Sequence, residues 1–244
     1  MANLQDRAVG ERPADKVDEK KVLAILRKAP LLADLREEAL VRLVGDARLE
    51  TFRGRQVIYL PGDRSFGVHV IGQGRVKVSK VTRDGKELTL AYRTAGDFFG
   101  EHCLLDGGPR EEMVEAMEPT ITVEVNGGIV AELLATNAAL GNAFSRVLLQ
   151  RRREIEAKVE QLVFKDVGAK LAELLLRLGT EHGIENKRGL LLGVKITHQE
   201  MANLIGSTRE TVSLTLSQFK RKGYIATEGR RVILADREGL RSLA

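Results

Sequence analysis

The sequence predicts an α+β chain: a small β barrel or sandwich, then one long helix, then a C-terminal winged helix-turn-helix. Three observations carry this. Short alternating runs broken by glycine turns recur at roughly ten-residue spacing from 49 to about 126. Apolar residues then step at threes and fours from about 137 to 164. Finally, residues 196–225 read as two short helices around a glycine turn.

The elements follow in chain order. Residues 1–20 are charged and poor in apolar side chains, the composition of a mobile extension. Val22, Leu23, Ile25 and Leu26, then Leu40, Leu43 and Val44, give a helical lead-in over 21–47. Residues 56–60 form a strand that ends at Pro61-Gly62-Asp63, and 68–71 form another that turns at Gly72-Gln73-Gly74 into 75–79. Asp84-Gly85 is a hairpin turn into a strand over 87–92, and 120–125 alternates again. This N-terminal unit spans 21–136.

Phe144, Leu148, Ile155, Val159 and Leu162 form the stripe of the long helix over 137–164. Arg151 interrupts that stripe, and the run Arg151, Arg152 and Arg153 otherwise reads as a solvated face. At 1.5 Å per residue the helix is about 40 Å long, more than a small barrel covers. Pairing with a twin helix across a two-fold axis explains the stripe economically; a helix laid over its own barrel is the other option. A helix from 167 to about 178, a polar glycine-containing loop over 179–189 and a strand lead into the last unit, which spans 165–244.

In that unit Thr197 caps a helix, with Glu200 three residues on to close a capping box. Met201, Ala202, Leu204 and Ile205 give this helix a buried face, and Gly206 supplies the turn. Ser207 or Thr208 caps a second helix whose Val212, Leu216 and Phe219 face inward. Arg209, Glu210 and Ser213 are left on an outer face. A second helix of this kind lies in the DNA major groove with its first residues against base edges. Arg209 can donate twice to guanine O6 and N7, and Glu210 can accept from cytosine N4. Ser213 can serve base or phosphate, while Thr197, Gln199, Thr208 and Thr211 are candidates for positioning contacts. Residues 229–234 complete a wing that brings Arg230 and Arg231 to the phosphate backbone. Charge agrees: residues 168–244 hold 13 Lys/Arg and 8 Asp/Glu, a net of +5, whereas residues 1–167 hold 26 of each.

Composition excludes other classes. One cysteine rules out a disulfide framework or a cysteine-ligated cluster within one chain. No apolar run reaches the 18 or so residues of a membrane span, and the N-terminus has no apolar signal core, so a reducing cytoplasm is the expected compartment. Phosphate-loop, zincin and nucleophile-elbow motifs are absent, and no catalytic constellation is visible; an enzyme is not expected.

The motifs Pro61-Gly62-Asp63, Ile71-Gly72-Gln73-Gly74, Asp84-Gly85-Lys86-Glu87, Gly96-Asp97-Phe98-Phe99-Gly100-Glu101 and Phe164-Lys165-Asp166 stand beside Ser207-Thr208-Arg209-Glu210-Thr211-Val212. With them the chain resembles the cyclic-AMP receptor protein/fumarate-nitrate regulator (CRP/FNR) family from about 25 to 240. The resemblance implies a cyclic-nucleotide-binding-type jelly-roll sensor, a dimerising helix and a promoter-binding module. The implied partners are palindromic double-stranded DNA, a second copy of the chain and RNA polymerase.

The sensor departs from its relatives. Members that bind cyclic AMP follow Gly-Glu with an arginine and a small hydroxyl residue. Gly100, Glu101 and Arg110 match; Glu111 stands at the hydroxyl position, and Glu112 follows. Arg110 can simply pair with Glu111 or Glu101. A carboxylate beside a bound phosphate is repulsive unless it turns outward. The threonine-serine pair that meets adenine on the long helix is here Ile155-Glu156. Cyclic AMP is therefore not the expected ligand, and DNA binding without any effector is expected; a liganded sensor of cyclic nucleotide or haem and gas is the alternative. His102 falls where carbon-monoxide-sensing haem members carry a haem histidine, but their cysteine two residues earlier is here Gly100; a hydrogen-bonded structural histidine at a strand end is the expectation. No metal site is expected. Leu214 stands where relatives have a further arginine, which implies a half-site with one well-read G·C pair fewer.

Overall fold

The computed structural model describes residues 18–229 and 231–244. Residues 1–17 and Arg230, with the expectations attached to them, lie outside the described residues. Asp18 accepts a hydrogen bond from Lys21 N and caps α1 (Glu19–Lys28), so residues 19 and 20 are helical rather than part of an extension. Val22 and Leu26 of α1 are fully buried. A 3-10 turn (Pro30–Leu32) leads to α2 (Glu37–Gly45), which buries Leu40, Leu43 and Val44.

The barrel consists of β1 (Arg48–Phe52), β2 (Val57–Tyr59), β3 (Gly67–Gln73), β4 (Arg75–Val81), β5 (Glu87–Thr94), β6 (Phe98–Phe99), α3 (Cys103–Asp106), β7 (Met113–Ala116) and β8 (Thr120–Asn126). Two antiparallel sheets, ordered β1-β8-β3-β6 and β2-β7-β4-β5, face each other as a jelly roll. The first five residues of β3 are all buried. This strand is covered on both faces, by α1 and its neighbours outside and by the barrel interior inside, so it reads as a continuous run rather than an alternation.

Asn126 caps α4 (Gly127–Thr136), a helix not separately anticipated, and Asn137 caps the 27-residue α5 (Ala138–Phe164). Asp166 caps α6 (Val167–His182), which runs past the expected end near 178 because Leu171, Ala172, Leu174, Leu175 and Gly179 keep packing inward. The expected polar loop over 179–189 is the last turn of α6 and a strand, β9 (Gly183–Asn186). Every residue of β9 is exposed, so its strand character comes from backbone pairing with β10 (Gly189–Leu192) and leaves no apolar signal. The chain continues through α7 (His198–Ile205), α8 (Arg209–Arg221), β11 (Ile225–Glu228), β12 (Arg231–Leu234) and α9 (Arg237–Arg241). The sheet β11-β12-β10-β9 and these helices share one core, including Leu171, Met201, Val212, Phe219 and Leu234. No helix among the described residues is long and apolar enough to cross a membrane.

Candidate nucleic-acid interface and sensor pocket

The helix-turn-helix is closed by local chemistry. Thr197 Oγ1 accepts from Glu200 N at 3.1 Å, and Glu200 Oε2 accepts from Thr197 N at 2.7 Å. Gly206 sits at φ 62°, and a Cβ there would lie 2.6 Å from Leu162 Cδ2. The turn thus needs glycine for conformation and for its approach to α5. Thr208, not Ser207, caps α8 through Thr211 N at 3.2 Å. Val212, Leu216 and Phe219 are buried, which fixes the roll of α8 and leaves Arg209 and Glu210 exposed. Neither side chain makes a hydrogen bond or ion pair among the described residues.

The remaining candidates already hydrogen-bond within the chain, although Thr197, Gln199 and Thr208 are exposed. Ser213 is half-buried, its Oγ 2.7 Å from His198 Nδ1 and donating to Arg209 O at 2.8 Å. Thr208 and Thr211 share a hydroxyl hydrogen bond of 2.9 Å, and Gln199 donates to Asn203 Oδ1 at 2.8 Å. His198, missed in the sequence, is thus the residue that orients Ser213. Leu214 is 60% exposed beside them. On the wing Arg231 is half-buried.

The barrel pocket is organised around Arg110, which is 5% exposed. Its Nη1 donates to Gly100 O and its Nη2 to Gly67 O, both at 2.9 Å. Nη2 also lies 3.4 Å from Glu124 Oε1 and 3.3 Å from His69 Nε2, and the guanidinium sits 4.4 Å above the Tyr59 ring. Gly100 has φ +81°, and a Cβ there would meet Arg110 Nη1 at 2.3 Å. Arg110 therefore pairs with neither Glu101 nor Glu111, the partners its sequence neighbourhood offers. Glu111 turns outward to Lys80 at 3.3 Å. Glu101 is held by Arg151, Nη1 to Oε1 2.5 Å. Arg151 also donates to Phe98 O at 2.7 Å and lies 4.1 Å above the Phe98 ring. It belongs to no solvated face: it is the residue by which α5 reaches the pocket. Ile155 and Glu156 are exposed on α5, with Glu156 paired to Arg152 at 2.7 Å; no hydrogen bond joins them to Gly100, Glu101 or Arg110.

Glu112 turns inward and accepts from Tyr59 Oη at 2.8 Å, with His102 Nδ1 at 3.0 Å. Burial opposes the Glu112 charge, but the His102 and Tyr59 hydrogen bonds prevail and hold its carboxyl below the ordinary range. The same bond raises the His102 imidazolium against partial desolvation. Burial, then the Glu112 charge, push the Tyr59 phenol well up, so it stays a donor. His102 directly precedes α3 instead of ending a strand, and among the described residues it belongs to no group of three or more converging metal-ligating side chains.

The one convergent donor set among the described residues is Glu50, His69 and Glu124, whose ligand atoms lie within 4.8 Å of one another. The Arg110 guanidinium already stands against two of the three, so a cation fills this place from within the chain. Arg110 spends its donors on two backbone carbonyls and Glu124.

A further contact joins barrel and helix-turn-helix. Asn203, 7% exposed on α7, donates to Glu87 Oε2 on β5 at 2.8 Å. Glu87 Oε1 also accepts from Ser79 Oγ at 2.7 Å and Lys77 Nζ at 2.8 Å, and Lys77 reaches Glu115 at 2.8 Å. Burial works against the Lys77 charge, yet Glu115 and Glu87 hold its ammonium above the usual range. The sequence signal for this contact was available: Asn203 is a polar residue between Ala202 and Leu204 on the apolar face of α7.

Comparison with known proteins agrees with both halves. A cyclic nucleotide-binding domain model matches residues 49–137, and a Crp-like helix-turn-helix domain model matches residues 169–243. The global nitrogen regulator of Nostoc sp. is 31% identical over 186 residues, 75% of this chain and 83% of the relative. The transcriptional regulator LdrP of Thermus thermophilus is 31% identical over 77% of this chain and 92% of its own. A CRP-like cAMP-activated global transcriptional regulator of Mycobacterium tuberculosis is 27% identical over 88% of this chain and 96% of its own. Among solved structures, a CRP/FNR-family regulator from Thermus thermophilus superposes with a TM-score of 0.63 at 28% identity, covering 81% of this chain and 98% of that one. The chain belongs to the CRP/FNR family of transcriptional regulators, with a cyclic-nucleotide-binding-type barrel and a helix-turn-helix DNA-binding domain.

Proposed function

We propose that the protein acts in the cytoplasm as a homodimer that reads a palindromic promoter site through the start of α8, and that it does so without cyclic AMP. The observation that carries this is the pairing state of Arg209 and Glu210. Both are exposed on the first turn of a helix whose other face is buried, and both keep their hydrogen-bonding capacity for a partner. Arg209 meets a guanine edge and Glu210 a cytosine amine, each contact worth about 1–3 kcal/mol of base discrimination. Thr197, Gln199, Thr208 and Thr211 make positioning contacts to the DNA backbone, and Ser213 serves base or phosphate. Leu214 offers only apolar contact, suited to a thymine methyl.

A dimer through the helix over 137–164 is supported by the apolar residues α5 leaves uncovered: Leu149 at 59%, Val159 at 52% and Val163 at 66% exposure, with Leu148 and Ile155 beside them. Two copies would set their α8 helices about one DNA turn apart, the spacing a palindrome requires. RNA polymerase is then the partner of the DNA-bound dimer. Independence from cyclic AMP is supported by Arg110, whose burial removes the phosphate anchor. Selection of random duplex DNA by the purified, ligand-free protein tests the reading. A palindrome of two G·C-containing half-sites about one turn apart is the expected product. Nothing above background at moderate salt would turn the reading to the liganded sensor.

A further inference from the structure

Between the barrel and the helix-turn-helix module lies a cleft of about 490 Å³. One wall is β5 over residues 89–93, the floor is α5 and α6, and the far wall is the segment 194–204. Its volume falls in the range of small-molecule sites, about 300–1,000 Å³.

The charges facing this cleft do not balance. Two of its three carboxylates are engaged, Glu154 with Arg93 at 3.3 Å and Glu200 with the Thr197 cap, while Glu181 lies 3.8 Å from the His182 ring; five Lys/Arg side chains line the same cleft. Lys158, Arg177 and Lys195 make no ion pair among the described residues, and Arg75 lies over the Tyr92 ring at 5.8 Å. Lys158 donates only to Leu204 O, at 3.2 Å. Burial first, and then the neighbouring Arg177 charge, lower its ammonium to about 8. Leu174, Leu178 and Tyr92 supply an apolar part to the lining.

We infer that this cleft is a binding site for a phosphorylated small molecule, whose phosphate meets Lys158, Arg177 and Lys195 and whose remainder lies against Tyr92 and the leucines of α6. The site is separate from the barrel pocket around Arg110 and from the outer face of α8. Its walls come from both modules, so an occupant braces the docked arrangement that Asn203 and Glu87 already make. The inference stands whether or not the protein reads DNA without an effector.

Isothermal titration calorimetry of the full-length protein with inorganic pyrophosphate tests it. Saturable binding at one site per chain is expected, weakened about tenfold or more in Lys158→Met/Arg177→Gln, as loss of charge-assisted contacts requires. Arg209→Ala should bind as the parent does. Lys195→Gln, altered at an exposed position, gives a weakening in the same direction where the double variant does not fold. No saturable heat from the parent protein would overturn the inference. So would binding unchanged in both cleft variants, or binding lost in Arg209→Ala, which would place the anion on the DNA-reading face.

Discussion

Arg110 in the barrel is 5% exposed and directs its donors to Gly100 O, Gly67 O and Glu124, whereas Arg209 at the start of α8 is exposed and directs none to another side chain or carbonyl among the described residues. Both arginines stand at motif positions associated with recognition. What separates them is their surroundings. Arg110 is enclosed by two carbonyls, a carboxylate, an imidazole and an aromatic ring, and Gly100, with no Cβ and a φ of +81°, allows that approach. Arg209 projects from a helix held by Val212 and Phe219 on the opposite side. An internal network of this kind is part of the barrel's core, while the first turn of α8 is a surface kept open.

The largest expected effect lies on the Arg110 side. Arg110→Met removes the guanidinium and leaves Glu124 beside Glu50 with the compensating charge gone. Breaking a buried pair from one side costs about 3–5 kcal/mol. Urea unfolding should show a drop of that size. A loss below about 1 kcal/mol would mean that the pocket is hydrated and that Arg110 is available to a ligand after all.

Arg209→Ala should do the reverse. Stability stays within experimental scatter, since the exposed side chain makes no hydrogen bond or ion pair among the described residues, and discrimination at one G·C pair of each half-site falls by about 1–3 kcal/mol. Competition binding against half-sites mutated one pair at a time reads this directly. Equal weakening on every sequence would assign Arg209 to phosphate and take base reading away from it.

This contrast bears on how much could be read from the residues alone. The helix-turn-helix was legible because its signals are local: the Thr197–Glu200 capping box, Gly206, the Thr208 cap and the inward Val212, Leu216 and Phe219 all act within a few residues. A small barrel or sandwich was legible from its turns, but β9 of the C-terminal sheet was not, because an edge strand with every side chain exposed carries no pattern. The partners of Arg110 were out of reach for a different reason. Its bonds run to Gly67 and Glu124, distant in sequence, while its neighbours Glu111 and Glu101 were drawn away by Lys80 and Arg151. Arg151 was misread for the same cause: a run of three arginines reads as solvated, and only the packing of α5 on Phe98 turns one of them inward.

A smaller effect separates docking from reading. Asn203→Ala deletes the hydrogen bond to Glu87, which keeps Lys77 and Ser79 as partners, so the cost in stability is about 0.5–1.5 kcal/mol. The consequence should concentrate at the contact: faster amide exchange in α7 and β5, with the core around Leu171 unchanged. Exchange accelerated throughout the C-terminal module would show that Asn203 holds that module's own fold instead.

The smallest effect is one of pH, and it belongs to the closed region. His102 has a folded-state pKa raised above its unfolded value, so its bond to Glu112 contributes fully below about pH 6.5 and is lost as pH rises through the folded value. Glu112 is lowered on folding, so its contribution is present above about pH 4.3 and is lost as pH falls through its folded value. The pair is therefore strongest between those limits. His102 is half exposed, and solvent screening keeps the effect below about 1 kcal/mol. Thermal melts from pH 5.5 to 7.5 should show Tm declining gently in the parent and level in His102→Asn. The scan stops there because Lys158, with a lowered pKa of about 8, begins to shed a destabilising charge above that point and raises stability with pH. An equal decline in both proteins would place the titrating group elsewhere and leave His102 as a neutral donor to Glu112.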